Sequence, residues 1–378
     1  MARKLKIGVM GCGNIAATYF KHAPLFRGIE IAACADLDPS IAERRAKEFN
    51  VEAMAPKALL ASAEIDIVLN LTVPAAHFAV SMAAVKAGKH VYSEKPLTLT
   101  LKDGLALKAA ADKNKVKVAC APDTILGGAH QLARKAIDDG VIGKVASGTA
   151  VIMGHGMEHW HPNPDFFFKP GGGPVLDMGP YYIGNLINLL GPVRRVAALS
   201  AMAHPHRTIS SQPRAGQKIK VETPTTIHAL LEFANGATVT LLASWDVWAH
   251  RHPLMELYGT EGAIFMPDPN FFGGEVLATR RNGPAEALPA WDHPFSVDNQ
   301  KDGQGRGIAN YRAAGIADMA DAILKRRDAR CSIDRALHAV EVMTAILASG
   351  EDGKFKLMKT KCTQPKPLPP EAARALLA

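Results

Sequence analysis

The chain has 378 residues, 48% hydrophobic and 21% charged, with a formal net charge of +8; that length predicts two domains, three at most, and that balance excludes a disordered, collagen-like or coiled-coil chain. Basic residues are spread along the sequence and aromatic residues make up 6%, so the charge reads as solubility plus attraction for an anionic ligand, with no nucleic-acid partner expected. No apolar stretch approaches the ~18–20 residues of a membrane span, Met1 to Val9 does not read as a secretory leader, and five cysteines without a CxxC pair (Cys12, Cys34, Cys120, Cys331, Cys362) predict reduced packing residues in a cytoplasmic protein with no membrane partner.

Through about residue 120, short apolar runs alternate with longer Ala/Lys/Glu-rich stretches, the order that builds a parallel sheet with helices on both faces. A strand from Leu5 to Met10 runs into Gly11-Cys12-Gly13-Asn14-Ile15-Ala16 and then a helix, the pattern of a dinucleotide-binding turn. Gly11 permits the tight turn and Gly13 lets the backbone approach a pyrophosphate at the helix start, where Asn14 and Ile15 join the cofactor set. Ala16 lets the helix pack against the strand. The second strand, Glu30 to Ala35, ends on Asp36, whose carboxylate suits ribose hydroxyls and repels a 2′-phosphate. NAD is therefore expected over NADP, with Arg44 and Arg45 leaving room for the latter.

The third strand, Ile65 to Thr72, ends at the carboxyl edge of the sheet, where Thr72 and Pro74 are expected to line the cofactor. His77 is a further candidate contact, against its alternative as a capping or surface residue. The fourth, His90 to Tyr92, passes into Ser93-Glu94-Lys95-Pro96, setting Glu94 and Lys95 beside the expected nicotinamide; in isolation the pair reads as an exposed ion pair at a strand end. A Lys-Pro bond accepts the cis form at small cost. The helix from Lys102 to Asn114 puts Leu105, Ala109 and Asp112 on a different face from Leu101, Lys108 and Lys115. A fifth strand, Lys117 to Ala121, precedes Asp123, a candidate cofactor or substrate contact where the chain crosses between domains. The predicted division is a nucleotide-binding domain over 1–123 and a substrate-binding and oligomerisation domain over 124–378.

Beyond Pro122 the texture changes to helices at Gly128 to Asp138 and Met178 to Leu190 and to runs with strand character at Val145 to Met153, Val193 to Ala203, Thr225 to Phe233, Ala237 to Asp246, Leu254 to Tyr258 and Glu275 to Thr279. Their hairpin-compatible spacing, with Asn235-Gly236 as a two-residue turn, predicts one large, open, mostly antiparallel sheet. Helices are expected at Ile308 to Lys325 and Ala336 to Ser349, followed by a Pro-rich tail that is extended or mobile. The loop from Gly154 to Asp165 carries His155, His159, Trp160 and His161; imidazoles bind hydroxyls, and an indole offers a flat face to a sugar ring. Lys169 is placed to reach an acidic group on the substrate. Three histidines also admit a zinc reading, but their spacing matches no strong metal motif, and a plain surface loop is the other alternative. Ser244 to His252 is a second polar cluster, whose tryptophans core packing explains equally well.

Gly11-x-Gly13-x-x-Ala16, Asp36, Ala87-Gly88-Lys89-His90, Glu94-Lys95-Pro96 and Gly171-Gly172-Gly173-x-x-x-Asp177-x-Gly179 together resemble the glucose-fructose oxidoreductase / inositol dehydrogenase (Gfo/Idh/MocA) family over most of the chain. The resemblance implies an α/β protein: an N-terminal Rossmann domain, then an α/β domain with a large open sheet. It further implies hydride transfer between NAD(P) and a sugar, cyclitol or related alcohol. Lys95 matches the family's active-site lysine and Asp177 its aspartate. Tyr181 stands where many members have histidine, as in the subgroup with glucose-fructose oxidoreductase and the dihydrodiol dehydrogenases.

An ordinary phenol, with pKa ≈ 10, is a poor base near neutrality, but an adjacent ammonium and a positive nicotinamide both favour phenolate. The expected mechanism passes the substrate's hydroxyl proton to Tyr181 with help from Lys95, while Asp177 orients Lys95 and the sugar. Tyr182, about 100° round the helix, is expected in the core. The open sheet is expected to stack on a second copy, giving a homodimer or homotetramer. Two other functions stay open: a glycosidase that uses NAD for transient oxidation, and a non-catalytic cofactor-binding sensor.

Overall fold

A strand covered on both faces must be apolar on both, and Leu5–Met10 (β1) buries every residue but Lys6. In the computed structural model, which describes residues 3–289 and 291–378, β1 lies among β2 (Ile29–Ala35), β3 (Glu52–Ala53), β4 (Ile67–Asn70), β5 (His90–Ser93) and β6 (Val118–Cys120). The order is β3-β2-β1-β4-β5-β6, parallel throughout. The strand order reverses between β1 and β4, which opens a crevice at their carboxyl ends. The crossovers are α1 (Asn14–His22), α2 (Pro39–Phe49), α3 (Pro56–Ala61), α4 (His77–Lys86) and α5 (Leu101–Asn114). Local chemistry sets their ends: Asp38 accepts the Ser40 N–H (2.9 Å) to start α2, and Thr100 accepts that of Asp103 (3.1 Å) to start α5. On α5 the stripe Leu105, Ala109 and Asp112 faces solvent, and Gly104, Leu107 and Ala111 are buried. Leu337 packs on Gly104 so closely that a Cβ there would meet it at 2.5 Å, which sets the buried face.

The second half supplies β7 (Val145–Met153), β8 (Val193–Ala201), a ribbon of β9 (His206–Thr208) with β10 (Lys218–Lys220), β11 (Thr226–Phe233), β12 (Thr238–Ser244), β13 (Met255–Gly259), β14 (Gly262–Met266), β15 (Leu277–Arg280), β16 (Glu286–Ala287), the pair β17 (Gln300–Lys301) and β18 (Gly307–Ile308), and β19 (Lys356–Leu357). Nine of these form one sheet in the order β16-β15-β14-β13-β7-β12-β11-β8-β19, antiparallel except where β12 runs parallel to β7. The reversal between β11 and β12 is one residue wider than the expected two-residue turn: the Phe233 N–H reaches Ala237 O at 2.8 Å, Gly236 takes φ +92°, and Asn235 Oδ1 accepts the Ala237 N–H.

Helices α6 (Gly128–Asp138), α7 (Pro174–Leu190), α8 (Ala314–Leu324), α9 (Ile333–Asp352) and α10 (Pro370–Arg374) complete the chain. Helix α7 opens at Pro174, a turn before Met178. Helix α8 opens at Ala314, later than expected, because Ile308 pairs in β18 and the carboxylate of Asp123 holds the turn before the helix by the N–H groups of Ala313 (3.1 Å) and Gly315 (2.9 Å). The Pro-rich tail is extended and tied down. Leu368 donates its N–H to Gln131 Oε1 (2.7 Å), and the chain returns to the first sheet's side, where Arg27 donates to Leu376 O (3.1 Å) and Ala378 to Leu25 O (2.9 Å). Among the described residues no helix is long and apolar enough to cross a membrane.

Candidate active site

The carboxyl ends of β1 and β2 carry the glycine turn. Gly11 adopts φ +98°, and a Cβ there would lie 2.8 Å from the backbone of Leu71 and Thr72, so only glycine closes the turn. A Cβ on Gly13 would meet nothing within 4 Å, and no side chain caps α1. The first amides of α1, at Asn14 and Ile15, thus open on unfilled space where an anion is stabilised by the helix N-terminus. Asp36 stands beside them, half-buried: its Oδ2 accepts the Cys12 N–H (2.8 Å) and its Oδ1 that of Asp38 (3.1 Å), leaving a lone pair on each oxygen. Arg45 is tied to Glu48 (2.6 Å) and to the carbonyls of Gly13 (3.2 Å) and Cys12 (3.4 Å). These features fit the pyrophosphate and adenosine ribose of a dinucleotide.

Two of the expected cofactor residues turn inward. Thr72 donates its hydroxyl proton to Asn70 Oδ1 (2.7 Å), while Pro74 sits half-exposed at the crevice edge. His77 is buried, with its ring nitrogens against Pro96 O (2.7 Å) and Thr72 O (2.9 Å). It therefore braces the loop after β4 against the segment after β5 and offers nothing to a cofactor. Asp123 is corrected likewise: it is 1% exposed and occupied by α8, and burial pushes its carboxyl up to about 6.

Beyond β5, Glu94 is buried, its carboxylate accepting from the Tyr19 hydroxyl (2.8 Å) and the Lys95 N–H (2.8 Å). The Lys95–Pro96 peptide is cis. Lys95 does not form the surface pair with Glu94 that the tripeptide alone suggests. Its Nζ crosses to the first turn of α7 and donates to Asp177 Oδ1 (3.0 Å) and Asp177 O (2.7 Å), 5.1 Å from the centre of the Tyr181 ring. Burial opposes the ammonium, but the charges of Asp177, Tyr181 and Glu94 outweigh it and raise the pKa. The raised pKa favours the ammonium form of Lys95.

The glycine run explains why α7 begins there. A Cβ on Gly172 would lie 2.4 Å from Phe167 O, and Gly173 caps the helix with φ +89°. Asp177 then falls in the first turn, where the helix dipole favours a carboxylate. Tyr181 follows four residues later on the same face. Tyr182 points into the core at 3% exposure, where burial raises its pKa. Arg312 Nη2 lies 3.5 Å from the phenol oxygen of Tyr181 and is held by Asn270 Oδ1 (2.7 Å). Sequence reasoning missed Arg312, Asn270 and Tyr19. Arg312 was hidden in a stretch read as helix, and only the Asn-Tyr-Arg run just before α8 hinted at a turn.

The loop from Gly154 to Asp165 is anchored from below. Arg207 on β9, almost fully buried, pairs with Glu158 (2.9 Å) and Asp246 (2.5 Å), and Asp246 also accepts from Thr225 and Thr226 (2.7 Å each). His161 rests edge-on against Trp160, Phe166 and Phe167 and accepts the Asn163 N–H (3.1 Å). His155 stacks on Trp248, which is 83% exposed, and burial lowers its pKa. His159, Trp160 and Lys169 are exposed. Among the described residues no three His, Cys, Asp or Glu side chains gather as a metal-binding group. Trp245 packs with Phe167 and Phe168 in an apolar cluster.

Two family profiles match the chain: one described as an oxidoreductase family with an NAD-binding Rossmann fold, over residues 5–121, and the GFO/IDH/MocA C-terminal domain, over residues 130–265. A dTDP-3,4-didehydro-2,6-dideoxy-alpha-D-glucose 3-reductase of Saccharopolyspora spinosa is 30% identical over 77% of this chain and 85% of its own. The scyllo-inositol 2-dehydrogenase (NAD(+)) of Bacillus subtilis is 28% identical over 70% of this chain and 75% of its own. A levoglucosan dehydrogenase solved in complex with NADH and L-sorbose shares the fold, with a TM-score of 0.81 at 20% identity over 95% of this chain and all of that one. The chain belongs to the Gfo/Idh/MocA family of oxidoreductases.

Proposed function

We propose, from that membership and the geometry around Lys95, that the chain transfers a hydride between NAD and a hydroxyl or carbonyl group of a sugar, cyclitol or sugar derivative. The observation that carries the reading is the ammonium of Lys95 fixed at 2.7 and 3.0 Å on Asp177 and set over the Tyr181 ring, at the same sheet edge as the glycine turn. NAD, when bound, supplies the hydride acceptor. Gly11, Gly13, Asn14, Ile15 and Asp36 would hold its phosphates and ribose, and Pro74, Glu94 and Lys95 its nicotinamide end. Asp36 beside the turn, with Arg45 engaged by Glu48 and the loop carbonyls, favours NAD over NADP.

Tyr181 Oη receives the proton of the substrate hydroxyl, and Lys95 donates to the same substrate oxygen and stabilises the charge that develops there. Asp177 keeps Lys95 charged and directed. His155, His159, Trp160, His161 and Lys169 bind the rest of the sugar; the named substrates of the relatives support this class. The same reading joins copies of the chain as a homodimer or homotetramer through the outer sheet face, where Leu199 (73% exposed) and Leu230 (56% exposed) project from β8 and β11.

The test combines a screen of sugars, inositols and sugar acids with NAD and NADP, read by reduced-cofactor fluorescence, with the variants Lys95→Met and Tyr181→Phe. Either substitution is expected to lower kcat by ~10²- to 10⁴-fold while NADH titration stays near wild type. Normal turnover in Tyr181→Phe refutes the assignment, and release of free sugar without net NADH points to a glycosidase instead.

A further inference from the structure

Two cations meet Tyr181, one at the ring and one at the hydroxyl, and sequence motifs account for only the first. Lys95, fixed by Asp177, covers the ring. The second cation, Arg312, comes from the turn before α8 and reaches the phenol oxygen at 3.5 Å. That turn is rigidly placed: Asp123 takes the N–H groups of Ala313 and Gly315, Asn310 Oδ1 accepts the Arg312 N–H (3.3 Å), and Asn270 accepts from Nη2 at both its Oδ1 (2.7 Å) and its backbone oxygen (3.3 Å).

Among the described residues Arg312 forms no salt bridge. Glu94, Asp123 and Asp268 contribute to its electrostatic field without pairing with it, and His22 lies within the field of Arg312. A half-buried guanidinium without a paired carboxylate carries a desolvation penalty, and the titratable group at hydrogen-bond distance from it, beside the Asn270 oxygens, is the Tyr181 hydroxyl. Because a guanidinium stays protonated, Arg312 cannot move the proton itself.

We propose that Arg312 is a positioning residue that directs the Tyr181 hydroxyl and stabilises its phenolate, so that Tyr181 takes the substrate's proton. The inference rests on the reading of Tyr181 as proton carrier. In the step concerned, the substrate O–H bond breaks and its proton joins Tyr181 Oη; the adjacent C–H bond breaks with its electron pair leaving as hydride to NAD, and the alcohol becomes a carbonyl. Arg312 lowers the energy of the anionic oxygen before the proton arrives.

A readout without substrate is available in the ultraviolet absorbance of phenolate, titrated with pH in the full chain and corrected by subtracting Tyr181→Phe. In Arg312→Gln, which keeps a hydrogen-bond donor and removes the charge, the Tyr181 band is expected about one pH unit higher, a tenfold change in proton affinity. Arg312→Lys restores most of that shift. With a substrate from the screen, Arg312→Gln loses kcat/KM near neutrality and recovers it at higher pH, while NADH affinity stays within about threefold. Asn270→Ala, which loosens the guanidinium without removing it, moves the band the same way by less and serves if Arg312→Gln does not fold. An unshifted band in the folded Arg312 or Asn270 variants, or an equal loss at every pH accompanied by weaker NADH binding, overturns the proposal. Full activity in Tyr181→Phe overturns the reading beneath it, whatever Arg312 does.

Discussion

Replacing Asp177 by asparagine removes one charge from the centre of the site and leaves its shape. The carboxylate sits 3.0 Å from Lys95 Nζ, a gross attraction of about 5.5 kcal/mol at an effective dielectric near 20. That figure is an upper bound, because Lys95 and Asp177 keep 16% and 19% of their side chains exposed and the amide oxygen still accepts a hydrogen bond. The net loss expected for a charge-assisted bond is roughly 1.5–3 kcal/mol, so kcat should fall ~10- to 100-fold. The pH dependence has a defined sign. In the folded chain the Lys95 pKa is raised above its ordinary value, with burial opposing and Asp177 the leading favourable charge. The ion pair's contribution to stability is therefore complete below the unfolded lysine pKa of about 10.4 and is lost as pH rises through the folded value. In Asp177→Asn that alkaline loss, and the alkaline limb of the rate profile, move to lower pH. The assay pairs initial rates of NADH formation with NADH fluorescence titration. A variant that keeps kcat within twofold, or one whose NADH affinity falls as far as its rate, refutes the role given to Asp177.

The two glycines of the turn separate cofactor binding from folding. Gly13→Ala should leave the unfolding free energy within about 0.5 kcal/mol and weaken NADH binding at least tenfold, whereas Gly11→Ala, at φ +98°, should destabilise the fold by ~1–3 kcal/mol; denaturant titration with and without NADH distinguishes them. Arg207→Gln leaves Glu158 and Asp246 buried without their cation and should destabilise by ~3–5 kcal/mol, with a higher KM in whatever fold remains; a loss below 1 kcal/mol contradicts the clamp. The carboxyl of Asp123, pushed up to about 6 by burial, is most favourable to folding below its unfolded pKa and loses that advantage as pH rises towards 6. Asp123→Asn should therefore be no less stable than wild type at pH 7 and show a flatter dependence of stability on pH between about 4 and 7, measured by thermal unfolding across that range.

The first domain was legible because its signals are local. A buried parallel strand is a continuous apolar run, and the turn from Gly11 to Ala16 is contiguous, so β1, α1 and Asp36 follow from spacing alone. Lys95, Asp177 and Tyr181 were recognised through motifs; their pairing across 82 residues has no local signature. What local chemistry misled was the use of polar residues whose partners are distant. His77 and Asp123 have the residue types and positions of ligands, yet their hydrogen bonds go to backbone groups that only the tertiary fold brings near. Arg312 shows the opposite case: it falls inside the stretch expected as helix from Ile308, and only the docked turn before α8 brings it to Tyr181. The tail shows it too, since its prolines exclude a helix over most of their span but say nothing of Gln131, which holds Leu368 in place.

The most direct measurement is a crystal structure with NADH and a substrate-class sugar or cyclitol bound. The nicotinamide ring is expected at the carboxyl edge of β4 and β5, with one substrate hydroxyl within hydrogen-bond reach of both Lys95 Nζ and Tyr181 Oη. A ring seated elsewhere, or a hydroxyl that meets neither group, contradicts this placement.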